Sequence, residues 1–528
     1  MVSLWGTKDP DDRSEGAPHD TGDSSRHAAQ TPDETTRLLP PPSTQEGYLS
    51  PDDPAVSPYN LWSVRVVRYF TVLFAAITFL WWTLLLVSIF VSPPGMNTRG
   101  SGFFDFSYST LTLGLLLIDL LFFSAPSKAA RVTCLVIATV LLIDTIIILA
   151  VSRLRAEEGG VGIASVVWAF LIALWSAFAD KLVLYGKHEE EVRLTGREEN
   201  RRTLREWLSV AISTIILAVC CVVAVLLSAT LILRARDASL PPPGEHYYVD
   251  GDKYQIHLFC EGNSTNSHEK KVPTVLFEAG YRPFAGSMQQ IATTALVTGS
   301  ISRYCYSDRP GIGWSDNAPS PFSVGMAADA LSEALAQAGE EGPFVLASAG
   351  VGSLYSRVFS SRHGPSIKGL LVIDPLHEDI FYRRSSSKRS FLLWAWGTIS
   401  LLGLDRNFGA LFRGRTREDR VFGRSSYQNG KFIKAKLQES LVANSLTKSE
   451  VSSARNIQLE KTPLVVISSG IRIRKDAEWQ TKQRDLTGLT DNLISWDIVD
   501  EAPSEVWMVP RGLEMIRRRL KELVNRED

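Results

Sequence analysis

The sequence predicts a chain of two unlike halves. An α-helical transmembrane bundle of five spans is followed by an α/β domain built on a mostly parallel, doubly wound sheet. Three observations carry that prediction. Five apolar runs reach spanning length between residues 61 and 236. From about Tyr247 onward, short buried-strand patterns alternate with helical ones. Ahead of both lies a leader, residues 1–60, with 11 Asp+Glu, four Lys+Arg and nine Pro. Averages over the whole chain hide the division, because mean hydropathy is near zero and 56 Lys+Arg balance 57 Asp+Glu in 528 residues. That balance excludes a dominant nucleic-acid footprint, so no nucleic-acid partner is expected. Five cysteines in so long a chain exclude a small disulfide-stapled scaffold.

The leader cannot bury enough apolar surface to offset its ordering entropy, and it reads as a disordered acidic cytosolic tail. Mitochondrial presequences are Arg-rich and poor in acids, which this segment is not, and the first long apolar run begins near Tyr69, too late for a signal peptide. Within the tail, Glu34-Thr35-Thr36-Arg37-Leu38-Leu39 resembles an acidic dileucine sorting signal, of the kind found on fungal vacuolar membrane proteins. Glu34, Leu38 and Leu39 would be read by a cytosolic sorting adaptor; chance occurrence is the other reading.

A bilayer core of about 30 Å needs about 20 apolar residues. The runs Tyr69–Val91, Phe106–Phe123, Val132–Val151, Val161–Phe178 and Trp207–Leu233 meet that need. Stretches such as LVIATVLLIDTIIILAV carry no polar stripe of the sort a soluble core helix keeps. Membrane lipids are therefore the expected surroundings of residues 61–236. Loop cations set the orientation: eleven Lys/Arg lie on the N-terminal side and five on the other. The N-terminus is expected in the cytosol, and five spans then put the C-terminal half outside it. Asp119 and Asp144 lie inside the second and third spans. Intramembrane acids face a bundle interior or a pathway, so they read either as interhelical hydrogen-bonding groups or as a proton or ion relay.

After a connector from Arg234 to Gly244, stiffened by Pro241, Pro242 and Pro243, strands are expected at YQIHLF, PTVLFEAG, ISRYCYS, FVLAS, GLLVIDP and TPLVVISSG. A helix is expected at MAADALSEALAQAG. Buried strands alternating with helices indicate a parallel, doubly wound sheet over residues 237–528.

The string Asp308-Arg309-Pro310-Gly311-Ile312-Gly313-Trp314-Ser315 resembles the DRxGxGxS turn of α/β-hydrolases, and the resemblance covers roughly residues 245–525. Five spans followed by such a domain are similar to a fungal family of polytopic membrane proteins. That family is often labelled mitochondrial, a label the acidic leader does not support. The resemblance implies a lid insertion at about residues 379–461. Its apolar stretch Phe391–Leu404, flanked by Arg383, Arg384, Lys388, Arg389 and Arg406, reads as a lid helix over the pocket or as an interfacial helix resting on the membrane. The resemblance also makes the strands of Cys260 and Cys305 neighbours, and the two sulfurs form a disulfide in an oxidising lumen or remain buried thiols. Asn263-Ser264-Thr265 is a glycosylation sequon, a weak signal that agrees with the charge-derived orientation.

The catalytic pattern is degenerate. An active member carries its nucleophile at a strained strand-to-helix turn, G-x-S-x-G. Here the segment runs Leu346-Ala347-Ser348-Ala349-Gly350-Val351-Gly352-Ser353, and the pattern lays the nucleophile on Gly350 and a later glycine on Gly352. Glycine forms no covalent intermediate. Ser348 as nucleophile would put Leu346 where a small residue is needed. The eight histidines end at His377, so none follows the last two strands, where the base would stand. Asp374 and Asp476 are candidate remnant acids, and His377 reads as structural. No cofactor or metal is expected. The sequence thus predicts a membrane-anchored pseudo-hydrolase with a binding, sensing or assembly role and an unknown lumenal ligand or protein, at an endomembrane, the vacuole foremost, with the mitochondrial or plasma membrane as alternative locations. The alternatives are an active lipid or ester hydrolase with a non-standard catalytic set and a transporter using Asp119 and Asp144.

Overall fold

A computed structural model of the chain describes residues 58–96, 98–196, 204–265 and 271–526. The sorting motif at Glu34, Leu38 and Leu39 and nearly all of the acidic tail lie outside the described residues. Five helices are long and apolar enough to cross a membrane: α1 (Trp62–Phe90), α2 (Phe103–Leu121), α3 (Lys128–Ala150), α4 (Ser152–Thr195) and α5 (Leu204–Ala238). Each matches an apolar run, but the bounds differ from the hydropathy estimate. Helix α1 begins seven residues before Tyr69, and α4 continues past Phe178 to Thr195, with a break at Gly159, where φ is 62°. Hydropathy marks the apolar stretch, whereas helix length follows backbone hydrogen bonding, which the charged, proline-free segment after Phe178 sustains. The connector is likewise shorter than expected, because α5 carries Arg234 and Arg236 within its last turns.

Inside the bundle α2 is the most buried helix. Leu115 and Ile118 of α2, Ile137 and Leu141 of α3, and Leu227 and Leu231 of α5 close around Ala169, Ala173 and Ala177 of α4. The four-residue spacing of those alanines lets neighbouring helices approach closely.

The second half is an eight-stranded sheet made of β1 (Glu245–Val249), β2 (Tyr254–Gly262), β3 (Thr274–Glu278), β4 (Arg303–Asp308), β5 (Phe344–Ala349), β6 (Ile367–Ile373), β7 (Leu464–Ser469) and β8 (Leu493–Val499). Its order is β1-β2-β4-β3-β5-β6-β7-β8. Strands β1 and β2 form a hairpin, β2 runs antiparallel to β4, and all other pairs are parallel. Helices α6 (Gln289–Val297), α7 (Val324–Gln337) and α8 (Gly352–Arg362) follow β3, β4 and β5. Between β6 and β7 come α9 (Glu378–Arg384), α10 (Ser387–Ser400), α11 (Leu404–Phe412), α12 (Arg417–Val421), α13 (Gly430–Val442) and α14 (Lys448–Ile457). Helices α15 (Gly470–Lys475), α16 (Ala477–Leu486) and α17 (Pro510–Asn525) complete the chain.

Alternate strand residues feed two cores, as a pleat requires. Val275, Phe277, Val345 and Ala347 pack with α6 and α17 on one face. Leu276, Leu346, Leu354 of α8 and Trp479 of α16 pack on the other. This is the doubly wound, mostly parallel sheet read from the sequence. The apolar stretch Phe391–Leu404 is not one helix: it breaks after Ser400 at Gly403, whose φ is 61°, and α11 begins there. Nor does α10 simply cover the sheet. A Cβ at Gly397 would collide with the Phe103 ring of α2, and the insertion is fastened to the bundle. Lys431 of α13 binds Glu157 at 3.0 Å, and Arg406 and Arg420 each bind Asp237 of α5 at 2.6 Å.

Candidate functional site

The turn between β5 and α8 is the sharp strand-to-helix corner at which the fold exposes a nucleophile. Gly350 occupies its apex with φ 53°. Its amide donates to Ile373 O at 3.0 Å, and its carbonyl accepts from the Leu376 amide at 2.9 Å, so the turn is tied to both ends of the β6 exit. Where a Cβ would stand, the nearest atom outside its chain neighbours is Gly280 Cα at 3.9 Å, so the space for a side chain is present and empty. Gly352 is different. A Cβ there would meet the carbonyls of Glu278 and Ala279, and only glycine lets α8 sit this close to β3. Ser348 is one strand turn earlier, fully buried, with its Oγ lacking a partner among the described residues. It does not line the cleft at Gly350. Ser353 is buried and spends its hydroxyl on Gly350 O at 2.7 Å.

That cleft has a volume of about 370 Å³. It opens among the loops after β3, β5, β6, β7 and β8 and includes Tyr281, Gly350, Asp374, Arg384, Arg472 and Trp507. No histidine lines it among the described residues. Ser504 and Glu505 stand on the loop after β8, where a hydrolase would carry its base, and Glu505 is ion-paired to Arg282. Asp374 leaves β6 with φ 42° and is buried. Its carboxylate receives Arg472 Nη1 at 2.6 Å, Trp479 Nε1 at 3.2 Å and the Ser469 amide at 3.3 Å. Burial pushes its pKa up and Arg472 opposes that shift. Three donors thus hold Asp374 in place, and no histidine lines the cleft beside it among the described residues. Asp476 caps α16 through the Trp479 amide at 3.1 Å and does not line the cleft.

Two histidines of this half, His377 and His257, are committed elsewhere. His377 is buried, accepts from the Asp379 amide at 3.1 Å and contacts Asp485 Oδ2 at 2.9 Å, which makes it a helix-capping residue of α9. His257 sits on Asp308 at 3.2 Å inside the DRPGIGWS turn, where Ser315 also bonds Asp308 O at 2.5 Å. Arg309 of that turn donates to Glu278 at 2.7 Å and to the carbonyls of Ala279 and Gly280 at 2.6 Å each. The motif thus braces the loop facing Gly350 and contributes no reacting group. Arg357 on α8 pairs with Glu378 at 2.7 Å and, although burial opposes it, helps hold that carboxyl at about 2.

Arg472 and Trp507 escaped sequence reasoning, and Arg384 was read only as a flank of the apolar stretch. The three come from separate segments after β6, β7 and β8 and share no motif. The only available signal was that a buried Asp374 must be neutralised by something near β7. The indole Nε1–H of Trp507 is buried with no acceptor among the described residues. Arg384 has no ion-pair partner among the described residues and stands exposed at the rim. The cleft therefore presents Arg384 and the Trp507 indole beside the Arg472–Asp374 and Arg282–Glu505 pairs, and no nucleophile–histidine pair among the described residues.

Elsewhere, the structure joins Cys260 and Cys305 in a disulfide between paired residues of β2 and β4, with Cα atoms 4.1 Å apart. Asn263 is exposed just beyond β2. In the bundle, Asp119 accepts from Ser176 at 2.5 Å and Asp144 from Tyr108 at 3.0 Å. Sequence reasoning overlooked a buried cluster in the same bundle, in which Arg234 binds Glu157 at 2.8 Å and Glu158 at 2.6 Å.

Comparison with known proteins agrees with these observations. Residues 34–260 match a family model described as a region of unknown function, DUF2417. An "Uncharacterized protein" of Schizosaccharomyces pombe is 32% identical over 501 residues, which cover 90% of this chain and 92% of that one. An "Uncharacterized vacuolar membrane protein" of Saccharomyces cerevisiae is 26% identical over 384 residues, 62% of this chain and 59% of that protein. Among solved structures, an alpha/beta hydrolase enzyme from a deep-sea metagenome library is 12% identical, covers 54% of this chain and 98% of its own, and has a TM-score of 0.38. The enol-lactonase from Burkholderia xenovorans is 14% identical, covers 53% and 100%, and has a TM-score of 0.37. No mitochondrial assignment accompanies these relatives. The extent and level of identity with the Schizosaccharomyces pombe protein establish that the chain belongs to this fungal DUF2417 family.

Proposed function

We propose that this is a polytopic protein of an endomembrane, the vacuolar membrane foremost, whose hydrolase-like domain binds a ligand and does not turn it over. The observation that carries the reading is the open corner at Gly350: the turn and cleft are kept, glycine stands at the nucleophile position, and no histidine lines the site among the described residues. The name of the Saccharomyces cerevisiae relative supports the location. The five apolar helices support membrane spanning, and the loop charges support a cytosolic N-terminus with the domain on the lumenal face. The lining of Arg384, Arg472 and the Trp507 indole suits a ligand with an anionic or strongly accepting group.

The test is ester hydrolysis by the purified full chain. Wild type is expected to show no turnover of short- and long-chain acyl esters. Gly350→Ser is expected to gain none, since a serine without a base stays a weak nucleophile. Hydrolysis by wild type that is abolished by Ser348→Ala, or by another single change in the cleft, would sink the proposal and favour an active hydrolase with a non-standard set.

A further inference from the structure

Helices α10 and α11 leave a large apolar surface uncovered. On α10, Phe391, Leu392 and Ile399 face outward together with Trp396. On α11 the exposed residues are Leu404, Phe408, Leu411 and Phe412, the last two at 77% and 75%. Positions 404, 408, 411 and 412 form one helical face. A surface meant for water rarely leaves so many large apolar side chains together.

The opposite faces of both helices are pinned to the bundle. Trp394 stacks edge-on to Phe106 of α2 at 6.1 Å, and Phe106 lies 5.3 Å from Trp82 of α1. Asn407 donates to Thr230 of α5 at 3.3 Å, and Arg406 binds Asp237 at 2.6 Å. The start of α11 is therefore held against the last turns of α5, between Thr230 and Asp237. Ile232, between those two anchor points, is itself exposed. The uncovered faces are thus continuous with the apolar belt of the five helices. Basic residues frame them, Lys388 and Arg389 at the start of α10 and Arg413 after α11, all exposed.

We infer that α10 and α11 form an interfacial hairpin. Their apolar faces lie in the boundary between headgroups and acyl chains of the leaflet nearest the sheet, and the flanking cations meet lipid phosphates. The inference rests on the reading that the five helices cross a bilayer. It makes the insertion a membrane-seated platform in place of a swinging lid. It also gives the cleft an address, because Arg384 on its rim lies just before α10 begins at Ser387. The cleft then opens beside lipid headgroups.

The experiment uses the full chain in phosphatidylcholine nanodiscs containing a lipid with a diazirine in its acyl chain, followed by light and peptide mapping. Adducts are expected in residues 391–412 as well as in the spanning helices, and none on α6, where Val297 is exposed but remote from the belt. Adducts on the spans with none in 391–412 overturn the hairpin while leaving the spans standing. Adducts on neither overturn both readings. The double change L411E/F412E is expected to reduce adducts over Leu404–Phe412 several-fold with span labelling unchanged, and an unaltered yield over Leu404–Phe412 would also overturn the hairpin.

Discussion

At Gly350 the backbone takes up φ 53° with open space where a side chain would point, and the nearby carboxyl groups are arranged for packing. Asp374 is consumed by Arg472, Trp479 and Ser469. Glu278 is buried beneath Arg309, and burial pushes its pKa from 4.5 to about 7 in spite of that arginine. A carboxyl raised in this way stabilises the fold fully below its ordinary value and loses that contribution as pH climbs through about 7. The loss is at most about 1.4 kcal/mol per pH unit across that window. Glu278→Gln, which cannot ionise, should therefore gain on wild type as pH rises. The difference in thermal midpoint, variant minus wild type, is expected to be more positive at pH 8 than at pH 5. A difference independent of pH would show that Glu278 ionises normally. These residues differ in how far the sequence announced them. The glycine at the corner was readable at Gly350 because the turn pattern is local. The meeting of Arg384 and Trp507 was not, because segments far apart in the chain bring them to one cleft.

Among the elements, the central strands announced themselves and the edges did not. Strands β3, β5 and β7 are buried along their whole length, so they read as short apolar runs. Strand β1 and strand β8 are edges, largely half-buried, that carry charged and polar residues and lack that signature. The antiparallel step from β2 to β4 places Cys260 opposite Cys305 in register, and the bridge closes a separation of 45 residues. Removing it with C260S/C305S is expected to lower stability by about 2–4 kcal/mol, measured by denaturant titration of the full chain in micelles. The same bond reports orientation. Non-reducing peptide mapping of protein from native membranes should recover the bridged peptides, whereas two free thiols would point to a reducing, cytosolic side.

The two halves of the molecule are joined by buried ion pairs. Arg234 sits between Glu157 and Glu158, Glu157 also takes Lys431, and Asp237 takes both Arg406 and Arg420. Buried pairs contribute little against an apolar alternative, but removing one partner strands a charge and costs about 3–5 kcal/mol. Asp237→Ala leaves two arginines without their carboxylate. The expected outcome is loosening of the insertion, seen as faster tryptic cleavage and hydrogen exchange over residues 404–428 while the sheet stays protected. Unchanged cleavage would mean that the apolar contacts of Gly397 and Trp394 suffice to hold the halves together.

What the sequence determined by itself was periodic or local. Five apolar runs became five helices, alternation of strands and helices became a doubly wound sheet, and a turn pattern located Gly350. Helix ends needed the structure, since hydrogen bonding carries a helix beyond its apolar stretch, as at Thr195 and Arg236. So did the edge strands, which lack an apolar signature, and the cleft and the junction, which depend on residues hundreds of positions apart, such as Glu157 and Lys431. Hydrophobic periodicity is a property of neighbours along the chain. The pairing of charges and the lining of a cavity are properties of neighbours in space, and only the tertiary fold decides those.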